Sequence, residues 1–476
     1  MTVSRPRRRV LIIGGGIAGL SAALRLRDTH GDDVDITIVE QKDRLGGKIA
    51  TGEFAGRPIE TGAEAFLARR REVVDLADRV GLSQHIRHPA SAPAGLVIDG
   101  TITDLPRGTM MGVPADPAAV AGVIGPAGLD RMRREPESSA PLLPAGEDIA
   151  VGELVRRQLG DEPVDRLVDP LLGGVYAGRA DDLSLEVTIP ALAAAVRKHR
   201  RLTEAVRAVL PTGPPSSAPV FGTIEGGLSR LIEAVAAASL ATVRLGLPVR
   251  RLERTPTGWS AVVGATVNPY RLSAEDVVIA VPARPAARLL TDVDTTAAEL
   301  VGELDYASLG LVSLAFSDID LPPRSGFLVP ATEGLTIKAA TFFTRKWPHL
   351  ATDPVTVLRA SIGRHGNTEA LRRDDTDLVG LTVAELSTVL RRRLPAPIDV
   401  AVHRWGGALP QYGPGHRDRI RRVRSRLAGH RIALAGAAFD GVGIPACVAS
   451  GQAAADHLSA LDWITNSGPA EPPRGG

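Results

Sequence analysis

Short apolar runs that end on glycine or on an acid set the pattern of this chain. Residues 9–13 (Arg-Val-Leu-Ile-Ile) read as a strand that passes straight into Gly14-Gly15-Gly16-Ile17-Ala18-Gly19-Leu20 and on into helical spacing. Residues 35–40 (Asp-Ile-Thr-Ile-Val-Glu) predict a second strand, and 276–282 a buried one. A strand over 431–435 feeds another glycine cluster, 436–443, and a helix is expected from about Ala446. Elsewhere the spacing predicts an amphipathic helix over 70–81 and Leu- and Ala-rich helices through 105–210. It also predicts a hairpin of 249–252 with 259–263 around Pro256-Thr-Gly258, strands over 309–316, 335–343 and 355–362, and a helix over 382–394. The stretch 211–219 reads as a linker, and the Pro/Gly-rich 465–476 as a disordered tail.

The first glycine loop carries chemistry. In G-x-G-x-x-G, bare backbone approaches a pyrophosphate and the following helix offers its free N–H groups. Alone this is a weak signal, but Glu40 ends the next strand at roughly the 20-residue offset of a ribose-binding carboxylate. The opening of the chain is therefore expected to hold a dinucleotide.

Composition narrows the classes. The chain has 476 residues, enough for two or three domains, and 56 Lys and Arg nearly balance 54 Asp and Glu, so its overall field selects no nucleic acid. Its single cysteine, Cys447, excludes an intrachain disulfide framework and fits a cytoplasmic setting. The start, Met1 to Arg9, lacks the apolar core of a signal peptide. The least charged stretch, 432–455, holds only Asp440 but is broken by glycines and Pro445, so no transmembrane span is expected, while peripheral membrane contact stays open. His85 and His88 have no completing ligands nearby, and no metal site is expected.

The run Glu40-Gln41-Lys-Asp-Arg44-Leu-Gly46-Gly47-Lys48 resembles the E-x-x-x-R-x-G-G extension of FAD-dependent amine oxidases, desaturases and porphyrinogen oxidases. Further motifs make the resemblance specific: Trp405-Gly-Gly-Ala-Leu-Pro-Gln-Tyr412-x-x-Gly415-His416, then Leu434-Ala-Gly436, Gly441-Val442-Gly443-Ile444-Pro445-x-Cys447, Leu172-Gly-Gly-Val-Tyr176-Ala-Gly178 and Phe221-x-x-x-x-Gly226-Gly227. Together they are similar to the protoporphyrinogen/coproporphyrinogen oxidase family over most of the chain. The resemblance implies an α/β fold, with an amine-oxidase-like, Rossmann-like FAD-binding domain, a mixed-sheet substrate domain and a helical lobe. The expected division is FAD-binding segments at 1–104, 211–285 and 401–464, a helical lobe at 105–210 and a substrate domain at 286–400. It also implies non-covalent FAD, with contacts from the loop 14–20, Glu40, Gln41, Arg44, Gly47 and Lys48, from Gly62, Ala63, Glu64 and Ala65, and from Val249, Trp405, Gly436, Val442, Gly443 and Ile444.

Within the family, Leu105-Pro-Arg-Gly-Thr-Met-Met111-Gly112 places a methionine where mitochondrial-type members carry a propionate-pairing arginine. Gly62-Ala-Glu64-Ala-Phe66-Leu-Ala-Arg69-Arg70 resembles the loop of bacterial coproporphyrinogen oxidases. The implied reaction is oxidation of coproporphyrinogen III by dioxygen to the porphyrin and hydrogen peroxide, in haem biosynthesis, with flavin N5 as hydride acceptor and no catalytic side chain required. Arg70 is the expected partner of a substrate carboxylate, against a solvated helix start. Tyr176 is a second candidate substrate residue, against a packed core tyrosine. The competing readings are a protoporphyrinogen IX oxidase, an amine oxidase or carotenoid desaturase, and a porphyrin-binding partner without turnover. The low aromatic content, 3%, argues against an amine cage. Oligomeric state is not legible.

Overall fold

The computed structural model describes residues 7–461 apart from 214–217, 318, 352 and 353. The expected tail 465–476 and residues 214–217 of the expected linker lie outside the described residues. Strand Arg8–Ile13, helix Ile17–His30 and strand Val34–Val39 form the opening unit. The two strands pair in parallel, Val10 against Ile36 and Ile13 against Val39. Thr242–Arg244 adds beside the second strand, Asp276–Ile279 beside the first, and Ile432–Leu434 at the far edge. Leu11, Ile12, Val277 and Val278 are all buried, as a parallel sheet covered on both faces requires.

One cover is the pair of helices Ile17–His30 and Ile444–Ala460. Their approach depends on Gly451, where a Cβ would stand 2.1 Å from the carbonyl oxygen of Ala18. A three-stranded antiparallel sheet, Val249–Thr255, Gly258–Ala265 and Asn268–Ala274, stands beside this core. Its third strand is almost entirely exposed, so it carries no apolar pattern for sequence reading to find.

The second half is a seven-stranded sheet in the order Asp399–Pro410, Tyr306–Ser317, Val355–Ile362, Ile337–Phe342, Gly326–Leu328, Ala94–Ile98, Thr101–Asp104. The last two strands come from the segment expected to belong to FAD binding, and Asp399–Pro410 crosses the expected boundary at 400. Strand pairing at long range, not local composition, sets those limits. Val312, Leu314, Leu358 and Ile362 on one face pack with Leu378 and Leu386 of helix Asp375–Val389. That helix starts earlier than the apolar spacing predicts, because the Asp374 carboxylate accepts the Asp377 N–H at 2.8 Å and caps it. The opposite face is bonded to the nucleotide half: Arg359 Nη1 donates to Glu60 O at 2.7 Å, and Trp405 Nε1 to Thr61 O at 2.7 Å. Short helices between Val151 and Val209 form the helical lobe.

Candidate functional site

The glycines of the first loop are glycines for different reasons. A Cβ at Gly14, where φ is +112°, would lie 2.4 Å from Ala280 O, and one at Gly19 would lie 2.1 Å from Gly14 O. Both serve the packing of helix on strand. Gly16 is different: its backbone is ordinary, φ −74°, and a Cβ there would meet nothing within 4 Å. Neither strain nor crowding within the protein explains it. It faces a cavity of about 410 Å³.

Gly14, Gly16, Ile17, Ala18, Glu40, Gln41, Gly47 and Lys48 form one wall of that cavity. Gly436, Val442, Gly443, Ile444 and Cys447 form another, and Ala63, Ala65, Val249 and Trp405 complete the set of expected residues that line it. The helices Ile17–His30 and Ile444–Ala460 both begin at this cavity, each on a glycine, with no acid in the first turn, so two sets of free N–H groups bring positive potential to it. Glu40 is buried, and its carboxylate accepts the Gly15 and Lys42 N–H groups, each at 2.8 Å. On the opposite wall, Ser450 Oγ accepts the Gly436 N–H at 2.8 Å and donates to Asp440, which ties the second glycine cluster to its helix.

The cavity's other lining groups are mostly aliphatic. Lys42 Nζ lies 5.2 Å from the Trp405 ring centre and Lys48 Nζ 5.7 Å from that of Tyr306. Burial lowers the Lys48 pKa. It pushes Tyr306 up to about 12 and the Cys447 thiol up to about 11, so both keep their protons at neutral pH. The Tyr306 oxygen accepts the Ala283 N–H at 2.9 Å. A buried acid beside a glycine loop, two helix N-termini and an open groove at Gly16 suit the ribose and pyrophosphate of FAD, and the apolar remainder suits a flavin ring.

Several expected residues stand elsewhere. Gly15 holds Glu40 through its N–H, while Gly19 and Leu20 pack inside the fold. Arg44 folds its own loop, donating to the carbonyls of Leu45, Gly47 and Ile49 at 2.9–3.1 Å. Gly62 makes room for Lys48 O, which a Cβ would approach to 2.1 Å. Glu64 is not on the cavity: its carboxylate takes Lys346 Nζ at 2.6 Å, Trp347 Nε1 at 2.9 Å and Arg359 Nη2 at 2.6 Å. Arg70 is 44% exposed, paired with Glu72, and absent from the cavity lining. Tyr176 is buried edge-on against Tyr412, ring centres 6.0 Å apart, and burial raises its pKa to about 12, as a core tyrosine. Sequence reading missed Val281, Pro282 and Tyr306, which line the cavity from the ends of two distant strands. The only signal was the Val-Pro pair closing the run 276–282.

This geometry defines a flavoprotein: residues 17–459 match the family model described as flavin containing amine oxidoreductase, and the chain belongs to that family as an FAD-dependent oxidase. Within it the chain belongs to the protoporphyrinogen/coproporphyrinogen oxidase family. It is 39% identical to the coproporphyrinogen III oxidase of Mycobacterium leprae, over 95% of this chain and 98% of that protein. It is 31% identical to that of Bacillus subtilis, over 96% and 100%. A crystal structure from Exiguobacterium sp., assigned provisionally as a protoporphyrinogen oxidase, superposes with a TM-score of 0.84 at 32% identity, covering 96% of this chain and 100% of that one. Among the described residues no helix is long and apolar enough to cross a membrane, and no acid, histidine or cysteine cluster could hold a metal.

Proposed function

We propose that the protein oxidises coproporphyrinogen III to coproporphyrin III, with dioxygen as the final electron acceptor and hydrogen peroxide as the second product. Bound FAD supplies the hydride acceptor and the route to dioxygen. Glu40, on the cavity wall, would accept the ribose hydroxyls, and the first turn of the Ile17–His30 helix would hold the pyrophosphate. The start of the Ile444–Ala460 helix brings positive potential to the opposite wall, where it favours negative charge. Cys447, with its thiol held protonated by burial, is a poor nucleophile, which supports a cofactor held without a covalent bond.

The observation that carries this reading is the continuity of cavity and sheet. Tyr306, Leu409 and Pro410 line the cavity, and their two strands, paired Tyr306 to Pro410 and Ala307 to Leu409, run on into the seven-stranded sheet. The face of that sheet turned toward the nucleotide half keeps Ala339, Thr341 and Ser361 only partly covered. A broad, mostly aliphatic wall beside the cofactor cavity suits a large flat substrate. An electron-rich macrocycle gives up hydride readily, so the residues need to orient it and exclude water more than to supply a strong base.

The flavin-loaded protein incubated in air with coproporphyrinogen III should generate porphyrin fluorescence and peroxide together, with higher kcat/KM than for protoporphyrinogen IX. The opposite preference would make protoporphyrinogen IX the substrate. Fluorescence no faster than in buffer would remove the reaction altogether.

A further inference from the structure

Lys338 is a buried amine with no acid to meet. It stands on Ile337–Phe342, the central strand of the seven-stranded sheet, and is 7% exposed. Its Nζ donates to one acceptor, the Gly173 carbonyl of helix Asp169–Tyr176, at 3.2 Å. Among the described residues no carboxylate lies within ion-pair distance of it. The charge that acts on it is another cation, Arg364, whose guanidinium is spent on the carbonyls of Leu335 and Val329 at 3.3 and 3.0 Å. Of the two acids that Arg364 feels, Asp169 already accepts the Ala180 N–H at 2.8 Å, and Glu385 accepts the Thr336 and Ile337 N–H groups at 2.9 and 2.8 Å. Burying an amine without a counter-charge is costly, and an aliphatic side chain of the same length would fill this place without that cost.

The surroundings are open on the side where the helix ends. Gly174 and Val175 follow Gly173, and Val175 is 44% exposed although it faces no described partner in the core. Gly174 has Leu328 of the adjoining strand 3.3 Å from where its Cβ would be, so helix and sheet meet there, and Gly174 itself is exposed. Gly310, Ile362 and Ile337 lie side by side on their three strands, which puts Lys338 at the same end of the sheet as Tyr306. From the Tyr306 strand to the Lys338 strand is two strand spacings, about 10 Å, and Tyr306 stands four residues, about 13 Å, along its strand from Gly310, so the two residues are about 16 Å apart. A tetrapyrrole against the Tyr306 wall, with its propionate arms extended, covers that distance.

We propose that Lys338 anchors one propionate carboxylate of the substrate, donating to it from the inner face of the sheet beside the Asp169–Tyr176 helix. The assignment rests on the reading that the substrate is coproporphyrinogen III. Lys338 acts as a specificity residue: it touches a substituent away from the reacting carbons, so the contact is equal before and during reaction. Burial and Arg364 together draw its pKa down to about 7, and an arriving carboxylate restores the charged form.

The test compares flavin-loaded wild type, Lys338→Met and Lys338→Arg, by steady-state kinetics on coproporphyrinogen III and by binding of coproporphyrin III followed through its fluorescence. Methionine matches the length and removes an unpaired buried charge, so folding and flavin content should hold. In Lys338→Met the KM and the porphyrin Kd should both rise about ten- to a hundredfold, the loss of one charge-assisted hydrogen bond, with kcat nearly unchanged. Lys338→Arg should recover most of the affinity. Unchanged KM and Kd in Lys338→Met overturn the assignment, as does a loss of flavin or thermal stability that accounts for the whole effect. A wild type that binds the porphyrin without oxidising the porphyrinogen overturns the proposed reaction instead, and the Kd of the variant then decides Lys338 by itself.

Discussion

Arg359 reaches from the middle of the seven-stranded sheet to the Glu64 carboxylate, Nη2 to Oε2 at 2.6 Å, and so joins the two halves of the molecule through an ion pair that is almost wholly buried. The same carboxylate also takes Lys346 and Trp347. The Lys346 and Arg359 cations, helped by the Trp347 N–H, hold Glu64 at a pKa of about 2, although burial alone would raise it. Glu64→Gln should therefore destabilise the fold, by about 3–5 kcal/mol, since it leaves buried cations uncompensated. Because the folded pKa lies below the ordinary value of 4.5, the stabilisation is complete above that pH and is lost as pH falls toward 2. Melting temperatures of wild type and variant should stay apart at neutral pH and converge in acid. A gap that persists at the acid end would refute the ionic origin.

Glu60, a few residues earlier, is shifted the other way. Burial raises its carboxyl to about 7, with Thr51 and the Leu228 N–H as hydrogen-bond partners. An acid whose folded pKa is raised stabilises the protein at low pH and loses that contribution as pH climbs from 4.5 through 7. Glu60→Gln should remove this slope, and thermal scans between those limits would then show a flatter profile than wild type.

The two helix-loop glycines should separate ligand binding from folding. Gly16→Ala puts a methyl into the cavity and nowhere else, so apoprotein stability should change by no more than about 0.5 kcal/mol. FAD affinity should fall by about 1–3 kcal/mol. Gly19→Ala drives a methyl into the Gly14 carbonyl and should cost the fold itself about 1–3 kcal/mol. Flavin titration of each apoprotein beside its thermal melt distinguishes them; equal effects of both variants on stability would refute the division.

Glu40→Ala should weaken FAD binding by about 1.5–3 kcal/mol through loss of hydrogen bonds to a charged acceptor. The released flavin should appear in the supernatant after acid precipitation of either protein. Colour left in the pellet would mean a covalent bond.

Arg70→Ala offers a contrast with Lys338. Its guanidinium already has Glu72, and it lies outside the cavity lining, so KM for either porphyrinogen should stay within the error of wild type. A selective rise for coproporphyrinogen III would place Arg70 on the substrate after all.

What the sequence disclosed follows the range of the physics involved. The glycine loop, Glu40 and the cluster Val442, Gly443 and Ile444 were legible because a nucleotide makes local demands on backbone, and local demands leave local motifs. The ion pairs of Glu64 were not legible for the opposite reason: its partners Lys346, Trp347 and Arg359 come from nearly three hundred positions away in the chain. Strands Ala94–Ile98 and Thr101–Asp104 joined a sheet that nothing in their own composition indicates. Lys338 is a single charged residue in an apolar strand, and only its missing counter-ion makes it visible.

The contact of Gly451 with Ala18 also has a bearing on biosynthesis. The ribosome releases the first glycine loop long before the Ile444–Ala460 helix, and only their meeting gives the cavity both of its helix N-termini. A nascent chain that has not yet released that helix has no finished pocket to offer. The cavity that would take the flavin therefore exists only once segments more than four hundred positions apart have met.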